Sequence, residues 1–249
     1  MEKSRIKYAV KMICGCICGC CLLYATGWMH VLNLHPGKFG NENIGKETAG
    51  YVVAEQEIVQ SQMEEPPRVA LTFDDGPSAK YTGKLLDGLK MRGVKATFFL
   101  IGENAEKNPE LVKRLDEEGH LIGNHTYHHV QIGKLPEEEA IKEVEETDAV
   151  IYQITGKHTE YMRPPFGEWK KDLEYKMQIL PVLWSIDTLD WTTENEDEIM
   201  NRVVTDVGEG DIILMHDCYE SSVNAALRIV DYLQAKGFEL VTADRLIME

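Results

Sequence analysis

The 249-residue chain lacks a cysteine framework. Five of its six cysteines, Cys14, Cys16, Cys18, Cys20 and Cys21, crowd into one apolar run, and Cys218 stands alone in the rest. No set of structural disulfides can be built from that distribution. The alternation of Cys and Gly reads as small apolar side chains in an apolar segment rather than as a metal tract, with S-acylation as the alternative. Basic residues are also scarce. Against 42 Asp and Glu there are 26 Lys and Arg, for a formal charge of -16. Such a surface repels nucleic acid and excludes it as a partner, while the acidic excess otherwise serves solubility. Internal repeats and long low-complexity tracts are absent too. With 43% hydrophobic residues, the chain can bury one substantial core and have roughly 60 residues left for a tail.

The tail is at the amino end. Lys3, Arg5, Lys7 and Lys11 precede an apolar run over residues 12–34, a basic flank followed by a membrane-length segment. The basic side stays in the cytoplasm, which places everything downstream outside it. Residues 1–34 are therefore a membrane anchor or a signal peptide. Ala25-Thr26-Gly27 offers small residues for cleavage, whereas apolar residues continuing through Trp28, Met29, Val31 and Leu32 favour a retained single-pass anchor. Residues 35–67 turn polar, with Pro36-Gly37 near their start and Pro66-Pro67 at their end, and read as a stalk. From 68 to 249, strand-like runs (69–73, 96–101, 121–123, 182–186, 212–215, 238–241) alternate with amphipathic ones (81–91, 109–118, 137–152, 197–207, 222–235). That alternation predicts an α/β fold, a distorted or incomplete (β/α) barrel with its chemistry at the carboxyl ends of the strands.

The polar clusters follow that rule. Asp74-Asp75-Gly76-Pro77 ends the first strand run; alone, it reads as a solvated turn. His125 and His129 stand four apart after the third run, a spacing that puts two imidazoles on one face of a helical turn within reach of one metal if a carboxylate joins them. Two satisfied histidines are the alternative. Arg163-Pro164-Pro165-Phe166-Gly167, Asp187-Thr188-Leu189-Asp190-Trp191 and Leu214-Met215-His216-Asp217 also fall at strand ends. A salt-bridged Arg, a capping Asp or a satisfied His explains each alone, but not their recurrence at one end of successive strands.

Taken in order, Thr72-Phe73-Asp74-Asp75-Gly76-Pro77, His125-Thr126-x-x-His129, Arg163-x-Pro165-Phe166-Gly167, Asp187-x-x-Asp190-Trp191 and Leu214-x-His216 resemble the five motifs of the polysaccharide deacetylase family, carbohydrate esterase family four, with its NodB-homology domain. The resemblance spans residues 68–249. It implies a barrel of that type and hydrolysis of N-acetyl groups on an amino-sugar polymer, with peptidoglycan suggested by export and chitin-type oligosaccharides as the other choice. It also implies that Asp75, His125 and His129 hold a divalent metal, Zn(II) first and Co(II) second. Asp74 matches the general base, Arg163 the partner that keeps it oriented, His216 the general acid and Asp190 the carboxylate that keeps His216 protonated. The Phe166 N–H matches an oxyanion donor, and Trp191 and Leu214 wall the acetyl pocket. Asp187 and Cys218 are expected to be structural and His128 a bystander. An O-deacetylase of a polysaccharide such as xylan, or a glycan-binding module without catalysis, are the alternatives to set against this reading.

Overall fold

A computed structural model describes residues 65–169 and 176–247. The expected membrane segment, and the stalk through residue 64, lie outside the described residues. Among the described residues, no helix is long and apolar enough to cross a membrane.

The sheet is organised around β1 (Arg68–Asp74), in which every residue after Arg68 is buried. Burial on both faces is what a central parallel strand needs, because helices cover each side. On one flank β1 pairs with β2 (Thr97–Leu100) and on the other with β7 (Ile212–His216), in registers that set Asp74 beside Phe99 and beside His216. Outward from β2 come β3 (Leu121–Asn124), β4 (Tyr161–Met162) and β5 (Leu180–Pro181); outward from β7 comes β6 (Ile186–Asp187). The short β8 (Glu239–Val241) pairs with the beginning of β1. All pairings are parallel, and β5 and β6, at the two ends of the order, do not pair with each other. The sheet is thus a curled, incomplete barrel, as the sequence predicts.

Seven helices are described: α1 (Thr82–Met91), α2 (Gly102–Lys107), α3 (Pro109–Glu117), α4 (Glu137–Thr155), α5 (Glu196–Val204), α6 (Glu220–Ala235) and α7 (Asp244–Ile247). Each longer one turns an apolar stripe to the sheet; α6 buries Val223, Ala226, Val230 and Leu233 at i, i+3, i+7 and i+10. The core centres on Phe73 of β1 stacked on Phe98 of β2, centroids 5.1 Å apart.

Two expectations need correction. Residues 182–186 are not one strand: β5 ends at Pro181 and β6 begins at Ile186. The carbonyls of Val182 and Leu183 instead accept from the Arg163 guanidinium, at 3.0 and 3.2 Å, so a side chain takes the groups a ladder would use. Likewise the chain from His125 to His129 is a loop, not a helical turn, because Thr126 (φ 63°) and His129 (φ 56°) adopt left-handed conformations.

Candidate active site

The five clusters meet at the carboxyl ends of the strands. Asp75 leaves β1 with φ 70°, which turns its carboxylate toward the loop after β3. His125 Nδ1 lies 2.6 Å from the Arg163 carbonyl oxygen. A carbonyl can only accept, so Nδ1 carries a proton, and in the neutral imidazole Nε2 is the nitrogen with the free lone pair. That Nε2 faces Asp75 Oδ1 at 3.3 Å, and so does Nε2 of His129, also at 3.3 Å.

One atom from each of Asp75, His125 and His129 lies within 4.8 Å of the others. Asp75 Oδ1, at their meeting point, is buried without a hydrogen-bond partner. An unsatisfied buried acceptor costs about 1–3 kcal/mol, and a cation shared with the two imidazoles would remove that cost. Burial raises the Asp75 pKa, but the surrounding histidines outweigh it and bring the net value below normal. Burial depresses that of His129. An ionised carboxylate and a neutral imidazole are the forms a divalent metal needs. The donor set therefore fits a divalent metal ion.

Beside this group, Asp74 is held from behind. Arg163, fully buried, donates through Nη1 to Asp74 Oδ1 at 2.8 Å and to Thr72 Oγ1 at 2.7 Å. The Thr72 hydroxyl in turn donates to the Ile213 carbonyl at 2.7 Å. The guanidinium also lies over the Phe99 ring, 4.3 Å from its centroid, and 5.5 Å from that of Trp184. Burial pushes its pKa down while Asp74 opposes the shift, and an arginine keeps its charge under such conditions. Asp74 Oδ2 remains, 3.9 Å from His125 Nε2.

Across the cleft, His216 ends β7. Its Nδ1 lies 2.7 Å from Asp190 Oδ1, and its backbone N–H donates to Asp190 Oδ2 at 2.8 Å. With Nδ1–H committed to a carboxylate, Nε2 faces the cleft, 4.0 Å from Asp75 Oδ2. Burial disfavours the imidazolium, but Asp190 at contact and then Asp74 and Asp75 override it and raise the pKa to about 9. Near neutral pH His216 is thus a cation able to give up a proton.

Asp74, Asp75, His125, His129 and His216 line one cleft of ≈ 440 Å³, with Arg163 and Asp190 buried behind it. Phe166, 64% exposed and left-handed (φ 63°), sits on its rim with its ring 5.0 Å from that of His129. Trp191 is 59% exposed and Leu214 buried, and both face the same space. Asp187 also borders the cleft, while its Oδ1 accepts from the Leu189 N–H at 2.9 Å. His128 turns away to Glu143, 2.9 Å off. Cys218 is outside the ligand group and bonds Asp217 Oδ1 through Sγ at 3.7 Å.

Sequence reading missed four contributors. Trp184 and Tyr219 line the cleft, Thr72 relays Arg163 to the strand, and buried Asp217 accepts from Thr82 behind the Asp75 turn. A Cβ on Gly76 would lie 2.6 Å from the Asp217 carboxylate, so a glycine is needed there. Position next to His216 was the one available signal for Asp217; for Trp184 there was none.

Comparison with known proteins points the same way. A model of the polysaccharide deacetylase family matches residues 61–182. A peptidoglycan-N-acetylglucosamine deacetylase of Bacillus cereus is 42% identical over 181 residues, 70% of this chain and 66% of that protein. The peptidoglycan-N-acetylmuramic acid deacetylase PdaC of Bacillus subtilis is 38% identical over 178 residues, 72% of this chain but 38% of its own length. A solved PdaC structure aligns with a TM-score of 0.72 at 37% identity, covering 74% of this chain and 91% of the solved one. A CE4 family pseudoenzyme from Bacillus anthracis also aligns, with a TM-score of 0.69 at 26% identity, over 73% of this chain and 66% of that one. The chain spans from about two thirds to less than two fifths of the length of these two curated relatives.

Proposed function

The chain belongs to the polysaccharide deacetylase family, and from that premise we propose that it is a metal-dependent hydrolase that removes N-acetyl groups from the amino sugars of peptidoglycan. The observation that carries this reading is the cleft itself. A carboxylate backed by a cation (Asp74 on Arg163) and an imidazolium backed by an anion (His216 on Asp190) face each other across Asp75, His125 and His129. A binding module has no need of a carboxylate and an imidazole opposed in this way, each with a buried partner of opposite charge. The fold alone does not decide the matter, since a pseudoenzyme shares it.

A divalent cation on Asp75, His125 and His129 would supply a Lewis acid that acidifies water and polarises the amide carbonyl. Asp74 then takes the proton of the attacking water on Oδ2, the oxygen Arg163 leaves free. The Phe166 N–H is assigned to the developing oxyanion. His216 Nε2 delivers a proton to the leaving amine nitrogen while Asp190 keeps Nδ1–H in place. Trp191 and Leu214 close around the acetyl methyl. The basic flank and apolar run support a location outside the cytoplasm, tethered or released, where peptidoglycan would be the N-acetylated polymer at hand.

Acetate release tests the reading. Purified full chain with Zn(II) or Co(II) is expected to release acetate from peptidoglycan and N-acetylglucosamine oligomers, to stop on chelation and to recover on metal addition. Greater activity on acetylated xylan would move the assignment to an O-deacetylase; none on any substrate would favour the binding module. Asp74→Asn is expected to keep its metal through dialysis and Asp75→Asn to lose it, with acetate release severely reduced in both. The reverse metal pattern would exchange the two roles.

A further inference from the structure

Both loops that carry the candidate ligands converge on residues 101–104, where β2 passes into α2. The Ile101 N–H donates to the Gly76 carbonyl at 3.0 Å, the Gly102 N–H to that of Thr126 at 3.0 Å and the Glu103 N–H to that of Tyr127 at 3.1 Å. The Asn104 side chain adds a fourth bond, Nδ2 to the Asp75 carbonyl at 2.8 Å. The first and last bonds tie down the turn bearing Asp75; the middle two tie down the loop from His125 to His129. The first N–H groups of a helix have no partner within it, so this segment has donors to give. Gly102 lets the loop come this close, since a Cβ there would lie 2.5 Å from the Tyr127 ring and 3.1 Å from its Cα.

Asp75 and His129 need such restraint. Both are non-glycine residues with left-handed backbone, φ 70° and 56°, a conformation that costs about 1–3 kcal/mol and persists only where its surroundings over-determine it. The direction of the Asp75 carbonyl sets the Asp75–Gly76 peptide plane and, through it, the aim of the carboxylate. We propose that Asn104 is a positioning residue for the metal centre, its amide holding Asp75 in the geometry that meets His125 and His129. The proposal rests on the reading of those three residues as metal ligands.

Asn104→Leu keeps the size and removes the donor, and Asn104→Ala removes the side chain. Asn108→Ala is the control. Asn108 Nδ2 reaches the carbonyls of Asn104 at 2.9 Å and Pro77 at 3.4 Å, so it supports the same turn without touching a ligand residue. Co(II) is titrated into the metal-free full chain and followed by visible absorption, with each affinity referred to the folded fraction read by circular dichroism. Both Asn104 variants are expected to bind Co(II) roughly 10-fold more weakly, at the lower end of the ~10–100-fold losses typical when a ligand's hydrogen-bond partner is removed. Their absorption bands shift, and Asn108→Ala retains wild-type affinity and bands. Wild-type affinity in the Asn104 variants would overturn the proposal and leave the metal centre standing. An equal loss in Asn108→Ala would reduce the effect to general loosening of the turn and overturn it too. Failure of the unaltered chain to bind Co(II) would instead remove the metal reading beneath it.

Discussion

The two sides of the cleft mirror each other in charge. On one, a buried cation presents an anion, Arg163 to Asp74 at 2.8 Å; on the other, a buried anion presents a cation, Asp190 to His216 at 2.7 Å. The likeness ends at the buried partner. Arg163 spreads four hydrogen bonds over Asp74, Thr72, Val182 and Leu183 and keeps its charge, so that side is bound into the fold. Asp190 serves one imidazole and the backbone N–H of the same residue, and the imidazole does titrate. Hydrogen bonds into the fold are concentrated on the Asp74 side and the raised pKa on the His216 side.

The contrast breaks most visibly at Arg163. Arg163→Met leaves Asp74 buried without its cation and two carbonyls without their donor, and is expected to cost about 3–5 kcal/mol of stability, as loss of one partner of a buried pair does. Urea midpoints and acetate release should fall together. Adding Asp74→Leu should restore part of the stability and none of the activity, because an apolar pair no longer strands a charge. No change in midpoint for Arg163→Met would remove the asymmetry between the sides.

A smaller effect on the fold and a clear one on chemistry is expected at His216. His216→Ala should lower kcat by roughly 10²–10⁴, the range for a lost acid–base group, while the metal content after dialysis stays that of the unaltered chain. Loss of metal would make His216 part of the metal centre rather than the acid.

The finest effect is the displacement of a pH limb. The folded His216 pKa lies near 9 against an ordinary 6.5. The associated stability is therefore complete below about 6.5 and disappears as pH rises through about 9. Activity that needs the imidazolium falls over the same upper limb. A divalent cation on Asp75 would lower that limb, and Asp190→Asn should move it further down, because burial then acts without its main counterweight. A pH–rate profile of the variant that overlays the wild type would assign the alkaline limb to another group.

Much of this site was legible before folding was considered. β1 could be read from its apolar run and its end from Asp74-Asp75-Gly76-Pro77, because a buried parallel strand tolerates no acids until it reaches the rim. The open barrel followed from alternating elements, which depend on local periodicity. Residues 182–186 were misread for the opposite reason. Their composition is that of a strand, and a guanidinium 19 positions upstream takes the Val182 carbonyl.

The sequence by itself determined the class of fold, the strand-end motifs and the chemical types available to the cleft, since these depend on side-chain chemistry and short-range pattern. Only the tertiary structure decided how they are aimed. His125 presents Nε2 because the Arg163 carbonyl, 38 residues away, occupies Nδ1. His129 joins it from a left-handed loop rather than a helical turn. Asp75 and Asp74 are neighbours with different partners, because Asn104 bonds the backbone carbonyl of one and Arg163 the carboxylate of the other. The first and last of these rest on hydrogen bonds between chain segments far apart in sequence, and such a bond leaves no mark in the local pattern of either segment.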